Sequence, residues 1–270
     1  MIKYYFAILT LLINSSAFAE SSIQLNKLSN TNQCIECDFS NLELKGVKFW
    51  NSNMRQSNFK GTNLSKSNLQ GSNLSDSQFN QAIFIGAQLQ GVNLNNSIFE
   101  NSKFTASNLI GAFLKKAKLN SSDFRGVNMQ AVEFTEGEAI NSDMKSINFT
   151  GANLSNSNFS GSNFSNANFT GANLSGVNFT GANLENADFS GSNLSNVNFT
   201  DASIKNIRFI SSNLSNVNFN KIDLSRVIFK DILFCGKRVV RKISNSSFLD
   251  GIINQEKRDN TSILKFLYCD

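Results

Sequence analysis

The 270-residue chain contains no histidine and no proline. Without histidine it can form neither a Ser-His nor a Cys-His nucleophile pair, and it lacks the commonest metal ligand. Its glycines fit no phosphate-cradling or dinucleotide fingerprint. Carboxylates are sparse. One local group, Glu133, Glu136, Glu138 and Asp143, has the chemistry of a cation site but reads more simply as solvated charge. No catalytic residue, cofactor or metal is expected, and the chain does not read as an enzyme. The missing proline suits a fold in which nearly every backbone N–H enters a β ladder, because proline cannot donate to one.

What is present is a period of five. From Phe39 to Phe234, forty positions spaced five apart carry twenty Phe, fifteen Leu, three Met and one Ile; only Ala139 departs. Two residues before each of these centres lies a second periodic position, mostly Ser, Ala, Val or Ile. Residues i and i+2 share a face in a strand, so each unit points one large and one small side chain the same way. A helix needs apolar spacings of three and four, and a five-residue spacing would wind its stripe around the cylinder. Glycine recurs two places after the centre, at Gly151, Gly161 and Gly171 for example, where a turn would use its access to positive φ. The reading is a solenoid that turns a corner at every repeat. At Ala139, with Gly137 beside it, a cavity or a bulge is expected, with Ile140 as a candidate to compensate.

Segments such as Ala152-Asn153-Leu154-Ser155-Asn156 and Ala172-Asn173-Leu174-Ser175-Gly176 resemble the pentapeptide-repeat family. The resemblance covers about residues 34–234. It implies an all-β fold, a right-handed quadrilateral β-helix with four repeats per coil and about ten coils. Residues twenty apart would then stack, placing Asn153, Asn173, Asn193 and Asn213 in one column and Asn148 and Asn168 in another. Stacked amides can hydrogen-bond along such a column.

The ends read differently. Residues 1–19 have the form of a secretory signal: Lys3, an apolar run from Tyr4 to Ile13, and Ala17-Phe18-Ala19 before Glu20. That run is too short to span a bilayer, and no other stretch reaches transmembrane length. The mature chain is expected outside the cytoplasm, periplasmic or secreted. Residues 20–33 are expected to cap the N-terminal coil through Ile23, Leu25 and Leu28, residues 34–235 to form the β-helix, and residues 236–270 to form a C-terminal cap or tail. The alternative for the tail is a homodimer contact, since some family members pair through a C-terminal element; monomer and dimer both stay open. Four cysteines in an exported chain favour disulfides. Cys34 falls on an inward centre position and Cys37 on the next smaller inward position, and Cys235 and Cys269 close the last repeat and the tail; connectivity stays open.

The surface offers three clues. Only Glu185 and Asp188 carry charge between Ile147 and Thr200, whereas Lys205, Arg208, Arg226, Lys230, Lys237, Arg238, Arg241 and Lys242 crowd the C-terminal region. Such a patch suits an anionic surface or a protein, and equally suits solvated charge; nucleic acid fits less well. Ile83, Ile85, Ile98, Ile110 and Phe113 point outward, on different faces. The best reading is an exported, non-enzymatic scaffold with an unidentified partner. The alternatives are an effector delivered to another cell, an ice- or surface-binding role for the Asn/Ser/Thr faces, and a gyrase-protecting DNA mimic of the kind the family includes. The last departs from the pattern because this chain is basic, with a pI near 9.0.

Overall fold

The computed structural model describes residues 15–219, 222, 224, 226–234 and 237–239, with side chains from Glu20 to Leu233. Parallel bridges link each outward residue before a centre to its equivalent twenty positions on, from Gln33↔Asn53 through to Asn213↔Leu233. The two strands β1 (Arg208–Ile210) and β2 (Ile228–Lys230) continue the same register. Twenty residues thus close one coil of four sides, and residues 34–233 make ten coils. At ~4.8 Å per coil the rod is roughly 48 Å long.

Each side is three residues long: a small residue pointing in, a polar residue pointing out, and a large residue pointing in. Two turn residues follow. The second of these has positive φ in nearly every repeat, 66° at Gly151 and 67° at Gly161. Asn, Ser, Asp and other residues share the position, but no β-branched residue does, as steric cost in the left-handed region requires.

The core is four columns of side chains, named here by an early member: Phe39, Leu44, Phe49 and Met54. Rings stack coil upon coil, with centroids 4.7 Å apart for Phe79 and Phe99 and 4.6 Å for Phe169 and Phe189. Buried serines occupy many small positions. Ser122 Oγ donates to the Phe99 carbonyl at 2.6 Å and accepts from the Ser102 N–H at 3.0 Å, and Ser142 repeats the pattern with Leu119 (2.8 Å) and Ser122 (3.3 Å). The hydroxyl closes the gap left where the strand turns the corner, so its burial carries little penalty.

The repeat at Ala139 holds neither a bulge nor a compensating Ile140. The register runs unbroken through Lys118↔Glu138 and Glu138↔Asn158. Ile140 faces outward, its N–H donating to Asn120 Oδ1 at 2.8 Å. Phe134, one repeat earlier, fills the space instead, its ring lying over Gly137.

Helix α1 (Ser15–Thr31) covers the N-terminal end. Leu28 is buried and Leu25 half-buried against the core, but Ile23 is 67% exposed. At about 100° per residue, Ile23 lies roughly 140° around the helix from Leu28 and so faces water. Gln24 sits between them and does what an apolar residue could not: its Oε1 accepts from the Asp38 N–H at 2.9 Å, closing an open strand edge. Cys34 and Cys37 pair in the first coil, with Cα atoms 5.6 Å apart and both buried. At the other end β3 (Ile232–Phe234) pairs antiparallel with β4 (Lys237–Val239), Leu233 opposite Arg238. The chain therefore reverses after the tenth coil and blocks the edge of the Met54 side. Cys235, Cys269 and the tail from residue 240 lie outside the described residues.

Candidate functional site

Outward groups are mostly engaged with each other. Asn173 Nδ2 donates to Asn153 Oδ1 at 3.1 Å, Asn193 to Asn173 at 3.2 Å and Asn213 to Asn193 at 3.0 Å, which is the column expected from a twenty-residue coil. Asn148 and Asn168 are bridge partners in another. The same Asn oxygens accept the N–H two residues on, as Asn168 does from Thr170 at 2.9 Å. Corner hydroxyls also fold back: Thr150 donates to Asn148 at 2.7 Å, Thr180 to Asn178 and Thr200 to Asn198, each at 2.6 Å. These threonines do not present an outward lattice of hydroxyls, which weighs against the ice-binding reading.

The carboxylates around the odd repeat disperse. Glu136 pairs with Lys115 (3.5 Å) and Lys116 (3.4 Å), and Glu133 accepts from Asn153 Nδ2 at 3.1 Å. Asp143 meets Arg125 at 3.6 Å. Arg125 also donates to both oxygens of Asp123, at 2.9 and 2.7 Å, and this contact holds the Asp123 carboxyl below its ordinary range against a smaller upward push from burial. No group of metal-ligating side chains is found among the described residues.

The basic residues are divided by the fold. Lys205 and Arg226 lie on the corner before the Phe49 side, Arg208 on its outward column, and Lys230 on the corner after it. All four are exposed, and Arg208 Nε lies 3.7 Å from Asp188 Oδ2. Lys237 and Arg238 are not on this side; β4 carries them onto the edge of the Met54 side. Arg241 and Lys242 lie outside the described residues.

Among the outward apolar residues, Ile85 (41% exposed), Ile110 (36%) and Phe113 (48%) are open to solvent, while Ile83 and Ile98 are partly covered. The sequence reading missed Trp50, 57% exposed, and Ile228. Their signal was positional: each falls on a corner or an outward column, where a polar residue is usual.

The pentapeptide repeats family matches residues 37–76, 62–101, 97–135, 147–186 and 192–231. The chain belongs to the pentapeptide repeat family. Its similarity to HetL, a pentapeptide repeat protein involved in heterocyst differentiation regulation from the cyanobacterium Nostoc sp. strain PCC 7120, extends over 81% of this chain and 98% of HetL, at 18% identity and a TM-score of 0.64. That likeness is one of fold: the right-handed quadrilateral β-helix. The plasmid-mediated fluoroquinolone resistance protein QnrB1 matches 84% of this chain and 99% of its own, at 14% identity and a TM-score of 0.39. A pentapeptide repeat protein of the Arabidopsis thaliana thylakoid lumen matches 44% of this chain and 69% of its own, at 28% identity and a TM-score of 0.32. No curated protein matches this repeat protein. Among its described residues no helix is long and apolar enough to cross a membrane.

Proposed function

We propose that this pentapeptide repeat protein is an exported, non-enzymatic interaction scaffold, a rigid rod working in the periplasm or outside the cell. One observation carries the reading: among the residues whose side chains are described, Gln24, Leu25 and Leu28 cap the N-terminal coil, and all three lie beyond Ala17-Phe18-Ala19. Cleavage between Ala19 and Glu20 would leave these three contacts in place. The Cys34–Cys37 pair suits an oxidising compartment. The Asn, Ser and Thr groups of the surface are spent on ladders and turns that stiffen the rod, which favours presentation of a surface over chemistry at a pocket.

The test is fractionation of cells that make the native protein, with N-terminal sequencing and thiol trapping. A chain that starts at Glu20, lies outside the cytoplasm and has oxidised Cys34 and Cys37 is the expected result. A full-length, reduced, cytoplasmic chain would refute it. The mature protein is expected to leave gyrase supercoiling unchanged, since its surface is not an acidic DNA mimic.

A further inference from the structure

We propose that the Phe49 side is a membrane-docking face, on which the rod lies flat against an anionic lipid bilayer. This names a partner for the scaffold and rests on that reading.

Charge is unevenly shared among the four sides. Of the sixteen cationic residues with described side chains, nine lie on the Phe49 side and its two corners; of the fifteen acidic residues, three do. Besides the four C-terminal cations already placed, they are Lys45, Lys48 and Lys66 near the N-terminus and Arg125 and Lys145 in the middle, all exposed. From Lys45 to Gly171 this side and its corners carry no carboxylate. The three acidic residues, Glu185, Asp188 and Asp231, come late, and Arg208 offsets Asp188. The cations lie at both ends of the rod and in its middle, where Arg125 is held by Asp123 and Asp143 of the neighbouring side and Lys145 is not, whereas the linear sequence shows only the C-terminal cluster.

Apolar exposure gathers on the same side. Of the six large apolar residues most open to solvent among those described, four belong here: Trp50 and Ile110 on one corner, Ile85 on the other, and Ile228 between them. The corner that carries Trp50 and Ile110 is followed by a column rich in glycine. At Gly91, Gly111, Gly151 and Gly171 even an added Cβ would meet nothing within 4 Å. Ile110 borders that open edge at Gly111, whereas Trp50 borders Asn51, whose side chain lies over Gly71.

A long flat side with spaced cations and a few protruding aromatic and aliphatic side chains matches a surface that is planar, anionic and apolar just beneath. Anionic headgroups over acyl chains have that profile: lysines gain from the surface potential, and Trp and Ile enter the interfacial layer. A DNA or polysaccharide partner would satisfy the charge and could stack on Trp50 but would leave Ile85, Ile110 and Ile228 without a role.

Trp50 is the chain's single tryptophan, so its emission reports directly on this side. The experiment uses the protein as recovered from cells, its N-terminus sequenced, because Tyr4–Ile13 would itself partition into lipid. Vesicles of phosphatidylcholine alone and with phosphatidylglycerol are titrated at low and high salt. Expected are binding to the anionic vesicles only, loss at high salt, and a blue shift of Trp50 emission. At about fivefold per lysine, K45E/K48E/K66E should weaken binding about 100-fold or more. K115E/K116E/K118E, the same charge change at sites away from the Phe49 side, should weaken it far less. Circular dichroism and melting confirm that both variants are folded.

Equal loss in both variants, an unshifted Trp50, or no vesicle binding overturns the proposal. Binding to heparin or duplex DNA with none to vesicles also overturns it and reassigns the side to a soluble polyanion. The two readings fail separately: an exported chain that ignores vesicles loses the lipid face alone, and a cytoplasmic chain whose binding is lost at high salt and in K45E/K48E/K66E loses the export reading alone.

Discussion

The Phe134 ring lies where a side chain at Gly137 would be, and stacks against Phe159 in the next coil. A Cβ on Gly137 would approach Phe134 Cε2 and Cζ to 2.4 Å, and the Phe134 and Phe159 ring centroids are 5.5 Å apart. Phe159 belongs to the Phe39 column, directly above Ala139. Phe134 belongs to the Met54 column, where leucine fills every other place from Leu74 to Leu214. A large residue in one column thus replaces the ring missing from its neighbour, and Gly137 makes room for the swing.

This trio should behave as a unit. Phe134→Leu leaves the space beside Ala139 unfilled and is expected to cost about 1–2 kcal/mol. Ala139→Phe alone overpacks the site and should cost a similar amount. Together they recreate the standard repeat, so the double variant should be more stable than the sum of the singles by about 1 kcal/mol or more, read by denaturant unfolding. Additive losses would show that the two positions do not share the space.

The buried serine column predicts a different kind of loss. Ser122→Ala removes the acceptor for the Ser102 N–H and the donor to the Phe99 carbonyl. An unpaired buried N–H costs about 1–3 kcal/mol. Amide hydrogen exchange at Ser102 should rise well above that of its neighbours; unchanged exchange would mean that the hydroxyl is not its partner.

The N-terminal cap depends on Leu28. Leu28→Ala is expected to cost about 3 kcal/mol and to expose the first coil. Ile23→Ala, on the wet side of the same helix, should change the unfolding free energy by less than about 0.5 kcal/mol. Equal effects would mean that the helix is not docked through Leu28.

Asp123 sets a small acid dependence. Its carboxyl is held below the ordinary value by Arg125, so the charged form is favoured by folding. That contribution is complete above the unfolded carboxylate pKa of about 3.9. It is lost as pH falls through the lower folded value. Arg125 is exposed and Asp123 partly so, so Asp123→Asn should cost no more than about 0.5 kcal/mol at pH 7, discounted for screening. Parent and variant should converge once the pH lies well below that folded value. A gap that persists there would point to packing rather than charge.

Much of this fold was legible before the coordinates. The five-residue period marked Phe39 to Phe234 as core, and twenty residues per coil foretold the Asn153–Asn213 ladder. Phe134 was legible too, but only once the core residues were sorted into four columns; in a single list it is one more phenylalanine. Ile23 was misplaced because apolarity says that a residue can be buried, whereas its angle around α1 decides whether it is. The basic run was split for a similar reason, since the reversal between β3 and β4 carries Lys237 and Arg238 away from Arg208.

The sequence by itself determined the repeat, the inward positions and the register, because each is local: alternation within five residues says which side chain must leave water. The tertiary structure alone decided which outward residues share a side. Residues five apart are separated by a corner and point different ways, while residues twenty apart stack about 4.8 Å from each other. Lys48 and Arg208 are therefore on one side because 160 is a multiple of twenty. Lys205 and Arg226 share a corner because their spacing exceeds twenty by only one.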